Sequence, residues 1–134
     1  MNPVFHLLFQ HNRFLTNQLN EVLKKHELFS SQWTILFCLS LNGSMTLTQI
    51  WRYLSVEAPT VTRTVTRLEK LGWVIRVPGE DKREKIVHLT EMAKERLPNI
   101  ERSILAFEEE MVGNLSKGEQ EQLMELLQKM KGSV

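Results

Sequence analysis

Cysteine is almost absent from this sequence of 134 residues, in which Cys38 is the single example. One thiol excludes an internal disulfide framework and supplies too few ligands for a cysteine-rich zinc site. The neighbours of His6, His11 and His26 do not reproduce a metal-ligand pattern either. We therefore expect a reducing compartment, no metal and no cofactor.

Long apolar runs are also missing. The longest nearly apolar stretch, residues 33–41, is interrupted by Thr34 and Ser40 and is far shorter than the roughly 20 residues that a membrane-spanning helix needs. The N-terminal residues lack the basic leader and the small-residue cleavage site of a secretory signal. The sequence thus predicts a cytoplasmic protein without a membrane partner.

Common enzyme motifs do not occur in the chain. There is no Gly-x-Ser-x-Gly, no phosphate-binding glycine loop, no His-Glu-x-x-His and no Cys-x-x-Cys. Hydrophobic residues make up 42% and charged residues 25% of the sequence, which is typical of a globular domain. We expect one domain over residues 1–134 and no enzymatic activity.

Helical patterns begin near the N-terminus. Apolar residues recur at helical spacing over residues 4–23, after Pro3, and predict one long first helix. Ser30 or Ser31 can cap a second helix, which Gly43 can end. The high apolar content of this second helix indicates that it is buried.

Capping residues mark the starts of three more helices. Thr46 and Ser116 each precede a glutamine or glutamate by three residues, the spacing of a capping box, and Thr90 can cap a helix alone. The helix after Thr90 carries apolar residues at alternating spacings of 3 and 4, which favours a helical partner: Leu97, Ile100, Ile104, Phe107 and Met111. Pro98 should bend this helix.

Residues 60–66 have an ambiguous pattern, because β-branched residues alternate there as they do in a strand. A strand would place Arg63 on the apolar face between Val61 and Val65. A helix removes Arg63 from that face and brings Leu68 onto it. The sequence therefore favours a helix, which Gly72 can end.

Two short apolar runs follow, residues 73–77 and 86–89, separated by a charged segment over residues 78–85. This arrangement predicts a β-hairpin with a charged tip. A tight turn at residues 55–57 joins the two preceding helices, so the order is that of a helix-turn-helix with a wing. The predicted fold class is mainly α, with a small β-hairpin wing.

The second helix of such a unit enters the major groove of DNA. Its predicted outer face is polar and basic, and we expect it to contact duplex DNA through six residues: Pro59, Thr60, Thr62, Arg63, Arg67 and Lys70. An arginine can bond both acceptors of guanine, threonines can reach bases or phosphates, and proline can meet a thymine methyl. The alternative is the ordinary solvated face of an amphipathic helix.

Net charge supports this assignment only weakly. The overall charge of +1 divides into +2 for residues 1–56, +2 for residues 57–90 and −3 for residues 91–134. The negative charge of residues 91–134 therefore offsets the mildly positive charge of residues 1–90 in the overall sum. A protein-docking winged helix without specific DNA binding stays open as a second function, and it would need exposed apolar anchors on the same helix face.

The order of these motifs resembles the multiple antibiotic resistance regulator (MarR) family over nearly the whole chain. The similarity is carried by LSVEAPTVTR at residues 54–63, RLEKLG at 67–72, DKR at 81–83 and VHLT at 87–90. It also takes in SQW at residues 31–33. The most specific part is the Asp-x-Arg wing before a strand that ends in Leu-Thr.

This resemblance implies a homodimer that binds a palindromic operator, usually as a repressor that a small ligand or an oxidant releases. It implies dimerisation helices at about residues 3–24 and 91–131 around a DNA-binding lobe at about 30–90. It makes Arg83 the wing-tip residue in the minor groove, with Lys82 beside it, and Asp81 the carboxylate that orients Arg83. An ordinary polar turn is the alternative for this tripeptide.

The resemblance places ligand sites in the crevice between the dimer helices and the DNA-binding lobe, but the sequence does not identify the lining residues. Trp33, Phe37, Phe14 and Met45 are candidates by position, although aromatics at helical spacing are more often core. One branch of the family senses peroxide through a cysteine early in the first helix, a position where this sequence has none. Cys38 lies in an apolar stretch typical of an inert buried thiol.

Overall fold

The computed structural model describes residues 1–81, 83–130 and 132. Within these residues the chain forms six α-helices and three strands: α1 (Pro3–Leu23), α2 (Ser30–Asn42), β1 (Met45–Thr46), α3 (Leu47–Leu54), α4 (Ala58–Lys70), β2 (Val74–Pro78), β3 (Lys85–Leu89), α5 (Glu91–Met111) and α6 (Lys117–Lys129). The predicted mainly helical fold with a small hairpin is confirmed. In this part of the chain, no helix is long and apolar enough to cross a membrane.

Helix α2 lies at the centre of the core. It packs against α1, α4 and β3, and its buried side chains occupy most of its circumference: Gln32, Trp33, Ile35, Leu36, Cys38 and Leu39. A helix that is apolar on nearly all sides has to be covered by other elements. The burial predicted from its composition is confirmed.

Helix α4 confirms the helical interpretation of the threonine-rich segment. Val61, Val65 and Leu68 are 2%, 0% and 0% exposed, so one apolar face enters the core. The hydroxyls of Thr64 and Thr66 donate to the carbonyl oxygens one turn earlier, at 2.9 and 2.8 Å. These bonds satisfy two hydroxyls that could otherwise compete with helix formation.

The wing is a hairpin of β2 and β3, in which Val74 pairs with Leu89 and Pro78 with Lys85. Strand β1 pairs with the other edge of β3 and completes a sheet in the order β1-β3-β2. Strand β1 was not predicted from the sequence, because two residues are too few to show a period of two. Pairing across β3 fixes the wing to the start of α3.

Three predicted capping residues perform that role. The hydroxyls of Thr46, Thr90 and Ser116 accept the backbone N–H groups of the residues three positions on, at 3.1, 3.2 and 3.1 Å. Gly72 follows the C-terminus of α4 with a φ of +85°, which favours glycine. These local signals predicted the helix boundaries because each bond forms within a few residues of sequence.

The start of α2 differs from the prediction. Phe29 is the N-cap, and the Gln32 side chain accepts its backbone N–H at 2.9 Å. Ser30 is already helical, and its N–H donates to the Asn20 side chain of α1 at 2.7 Å. A contact from another helix therefore replaces the serine cap.

The apolar seam of α5 is used partly within the protomer. Leu97, Ile100 and Ile104 are 5%, 0% and 8% exposed, and α5 packs against α1. Helix α5 continues through Pro98 without a break. The first half of the seam therefore belongs to the core, while Phe107 and Met111 near its end are only half-buried.

Thr90 joins the wing to α5, and its removal should destabilise the fold. Its hydroxyl caps α5 and also donates to the carbonyl oxygen of Gly72 at 2.7 Å. Thr90→Ala should lower the free energy of unfolding by about 1 to 2 kcal/mol, measured by urea denaturation. Thr48→Ala is the control, because the Thr48 hydroxyl makes no hydrogen bond within the described residues. Equal losses in both variants would contradict this role.

Candidate nucleic-acid interface

The outer face of α4 brings most of the predicted DNA-binding residues together. Opposite its buried face, the helix exposes Pro59, Thr62, Arg63, Arg67 and Lys70, and it leaves Thr60 half-buried. Residues three or four positions apart lie on the same side of a helix. No large apolar side chain is exposed anywhere in α4, all of which the structure describes.

Arg63 has a local partner on this face. Its Nη2 donates to the Thr60 hydroxyl at 3.4 Å, which holds the guanidinium near the N-terminal half of α4. Arg67 and Lys70 lie in the last turn, where the helix dipole favours positive charge. The outer face of α4 therefore carries positive charge along its length, with Arg63 in the middle of the helix and Arg67 and Lys70 in its last turn.

A compact turn forms the wing tip. Gly79 N–H donates to the Glu84 carbonyl oxygen and Glu84 N–H to the Asp81 carbonyl oxygen, both at 3.0 Å. The Asp81 carboxylate accepts the backbone N–H of Arg83 at 3.1 Å. Asp81 thus contacts the backbone of Arg83, which leaves the exposed guanidinium available. Lys82, also predicted to contact DNA, lies outside the described residues.

An ion pair connects α4 to the wing. Arg76 on β2 donates to both carboxylate oxygens of Glu69, from Nη2 at 3.0 Å and from Nε at 3.3 Å. The hydrogen bonds from the Arg76 guanidinium lower the pKa of Glu69. This pair was not predicted from the sequence, because no helical or strand spacing relates residues in two different elements.

A second polar contact connects the lobe to the long helices. The Arg96 guanidinium of α5 lies 4.5 Å from the ring centroid of Trp73, which precedes β2 and is 2% exposed. Arg96 also donates to the carbonyl oxygen of His26 at 3.3 Å. One side chain thus bridges the wing, α5 and the turn after α1, and neither Arg96 nor Trp73 was predicted to have this role.

Comparison with known proteins decides the family. The MarR family model matches residues 28–85. A relative from Bacillus subtilis (strain 168), the HTH-type transcriptional regulator YwoH, is 47% identical over 118 residues, which span 88% of this chain and 86% of that protein. The chain belongs to the MarR family. The resemblance predicted from the winged helix-turn-helix motifs is confirmed.

Two further comparisons extend this result. A cysteine-to-serine mutant of MarR from E. coli, complexed with operator DNA, matches with a TM-score of 0.90 at 28% identity and covers 96% of this chain and 93% of its own. The HTH-type transcriptional repressor IacR of Pseudomonas putida is 33% identical over 101 residues, or 75% of this chain and 58% of that protein. Like its relatives, this MarR-family protein is a transcriptional regulator, so the prediction that it is not an enzyme is confirmed.

This MarR-family chain has another basic side chain near α4, one not predicted from sequence. The exposed Arg52 near the end of α3 lies 5.3 Å from the ring centroid of Trp51. Both residues line a cleft of about 670 Å³ together with residues 55–59, which form the turn and the start of α4. Ser55 adopts a left-handed φ of +54° in this turn.

Cys38 is buried in the core of this regulator. Its Sγ lies 3.2 Å from the Met45 Sδ, and burial raises the pKa of its thiol, partly opposed by a hydrogen bond from Asn42. A raised pKa leaves less of the nucleophilic thiolate at neutral pH. The geometry is that of an inert core thiol, as the apolar surroundings in the sequence predicted.

The pair of Glu69 and Arg76 should make stability depend on pH. A glutamate whose pKa is lowered by folding stabilises the protein above its unfolded pKa of about 4.3, and this contribution is lost as the pH falls through the folded value. At about pH 7 Glu69→Gln should therefore lower the free energy of unfolding, and the difference from wild type should shrink below about pH 4.

Urea unfolding over this pH range measures the effect. Glu95→Gln, which removes an exposed carboxylate on α5 without an ion pair among the described residues, is the control. The ion pair would have no part in stability if the two variants followed the same pH profile.

Proposed function

We propose that this regulator is a homodimeric repressor that binds a palindromic operator in duplex DNA. Helix α4 enters the major groove and the wing tip reaches the adjacent minor groove. The observation that carries the proposal is the outer face of α4, which presents three cations and exposed threonine on a helix whose opposite face is locked in the core. Such a helix can enter a groove without losing its packing.

Arg63 has the main role in reading bases. A guanidinium can donate two hydrogen bonds to guanine O6 and N7, and the Thr60 hydroxyl already restrains it. Thr60 and Thr62 stand near the N-terminal half of α4, from which recognition helices contact base edges. Pro59 offers apolar contact for a thymine methyl.

Phosphate contacts come from residues around the part of α4 that contacts bases. Arg67 and Lys70 lie further along α4, and Arg52 lines the cleft at its start. At the wing tip, Arg83 enters the minor groove, Lys82 adds charge, and Asp81 keeps the turn closed through the backbone of Arg83. Arginine suits a narrow minor groove because of its negative potential.

A protein-docking winged helix is less well supported. That function needs apolar anchors at the centre of the docking face. Helix α4 exposes none, and its whole length is described. Duplex DNA is therefore the preferred partner, and the operator named in the E. coli comparison and the repressor name of the P. putida relative support the same proposal.

The homodimer rests on the two end regions of the chain. Helix α6 has no buried residue, although it is amphipathic and carries exposed apolar side chains: Leu123, Met124, Leu126 and Leu127. Helix α1 also exposes large apolar side chains, among them Val4, Phe5, Leu7, Phe9 and Phe14. Apolar surface of this extent marks an interaction site, and a second copy can cover both regions. We assign dimerisation to about residues 3–24 and 91–131 and DNA binding to about 30–90.

Selection of duplexes from a random pool tests operator binding. Wild type should enrich a palindrome whose half-sites lie about 34 Å apart.

On the selected duplex, Arg63→Ala should weaken the binding free energy by about 1 to 3 kcal/mol and relax specificity, whereas Lys70→Ala should weaken binding to all duplexes alike and flatten the salt dependence of binding. Arg83→Ala should reduce capture of the palindrome. If no sequence were enriched, or if all three variants lost the same affinity for every duplex, the protein-docking function would be favoured instead.

Substitution on α6 tests the dimer. Leu126 is 54% exposed in the protomer, so Leu126→Asp should leave the protomer folded and shift the protein toward monomer in sedimentation at micromolar concentration. Leu41→Asp is the matched control, because Leu41 on α2 is 62% exposed and lies outside the proposed interface. A wild-type monomer, or dissociation by both variants, would contradict the proposed interface.

A further inference from the structure

The wing tip, residues 79–84, makes its hydrogen bonds within itself in the part of the chain that the structure describes. Gly79 donates to Glu84, Glu84 donates to Asp81, and the Asp81 carboxylate accepts the backbone N–H of Arg83. These bonds fix the shape of the tip but do not attach it to another element. The position of Arg83 therefore depends on how the two strands of the hairpin are held against α4.

Two contacts that involve side chains hold this hairpin near α4 within the described residues. At the base of the hairpin, the Thr90 hydroxyl donates to the carbonyl oxygen of Gly72, directly after α4. Further along, Arg76 of β2 donates to both carboxylate oxygens of Glu69 on α4, at 3.0 and 3.3 Å. Since Arg76 lies in the outer half of β2, the ion pair is the contact closer to the tip.

A small rotation of the hairpin about its base would move the tip by a distance that matters for binding. The five-residue strand β2 spans about 17 Å at the usual rise of a strand. A rotation of about 10° would therefore displace its far end by about 3 Å, which is the length of a hydrogen bond. A contact that resists this rotation decides whether a groove positioned by α4 also meets the tip.

The pair is well suited to resist such a rotation. Glu69 is the only carboxylate of α4, all of which is described, and the side chains of Glu69 and Arg76 are 38% and 23% exposed. Hydrogen bonds from Arg76 lower the pKa of Glu69, burial opposes this shift, and the charge of Lys85 on β3 adds to it. The carboxylate is thus attracted to both strands, and its two-point contact with a planar guanidinium has a defined orientation.

We infer that Glu69 and Arg76 are positioning residues for DNA binding by the wing, and that they hold the hairpin at the angle to α4 from which Arg83 reaches the minor groove. This inference rests on the function proposed above and goes beyond it, because neither side chain of the pair has to touch DNA. Helix α4 is held in the core by its apolar face. Loss of the pair should therefore weaken the contribution of Arg83 to binding and leave that of Arg63 unchanged.

A double-mutant cycle on the selected duplex measures this dependence. Fluorescence anisotropy would give the dissociation constants, at a temperature where urea unfolding shows every variant to be folded. Arg83→Ala should weaken binding by wild type on the order of tenfold, but binding by the Glu69→Ala variant only about twofold. Arg63→Ala should weaken both proteins by the same factor. A merely structural role of the pair would not make the Arg83 effect smaller while leaving the Arg63 effect intact.

Two sets of variants control the cycle. Arg76→Ala should reproduce Glu69→Ala, and the two substitutions combined should have no larger effect than either alone. Ile50→Val removes a fully buried methylene group from α3, which lowers stability without touching the pair, and it should keep the full effect of Arg83→Ala. The inference would be overturned if Arg83→Ala had its full effect in the Glu69→Ala variant, or if Ile50→Val reduced that effect equally.

A measurement without DNA separates this inference from the proposed function. Spin labels on Thr62→Cys and Glu80→Cys report the distance between α4 and the tip, because both positions are exposed whereas Cys38 is buried. Labelled chains would be diluted with unlabelled chains, so that each distance lies within one protomer. Glu69→Ala should broaden the distribution of distances, and an unchanged distribution would overturn the inference. A broadened distribution in a protein that selects no duplex would overturn the DNA-binding function and leave the hold of the pair on the wing standing.

Discussion

Burial of α2 is the constraint on which the rest of the structure depends. Its buried side chains occupy most of its circumference, so α1, α4 and the sheet have to pack around it. The three apolar residues of α4 then meet this helix, and that contact decides which side of α4 stays outside. The basic face is therefore a consequence of core packing as much as of its own composition.

Polar contacts between elements complete the orientation that the core begins. The pair of Glu69 and Arg76 holds α4 against β2, and Thr90 holds the end of β3 near Gly72 at the close of α4. Arg96 then connects Trp73 to the turn after α1. Helix α4, the wing and the long helices are thus joined by hydrogen bonds and one cation–π contact.

Much of the fold could be predicted because its signals are local. Hydroxyl caps at Thr46, Thr90 and Ser116, the end of α4 at Gly72 and the helical register of residues 60–70 all depend on neighbours within one or two turns. The same register separates the buried valines from Arg63, so the candidate DNA-binding face followed from the sequence together with the family resemblance. The hairpin was predicted to within a residue or two for a similar reason.

The starts of α3, α5 and α6, the helical state of α4 and the outer position of its arginines were determined by the sequence alone, because periodicity and capping operate over short distances. Only the tertiary structure decided that Phe29 starts α2, that β1 joins β3, that Glu69 meets Arg76 and that half of the α5 seam is internal. It also decided that Trp33 and Phe37 of α2 line one cleft with Glu101 and Glu108 of α5. These contacts join residues distant in sequence, and only the packing of complete helices brings such residues together.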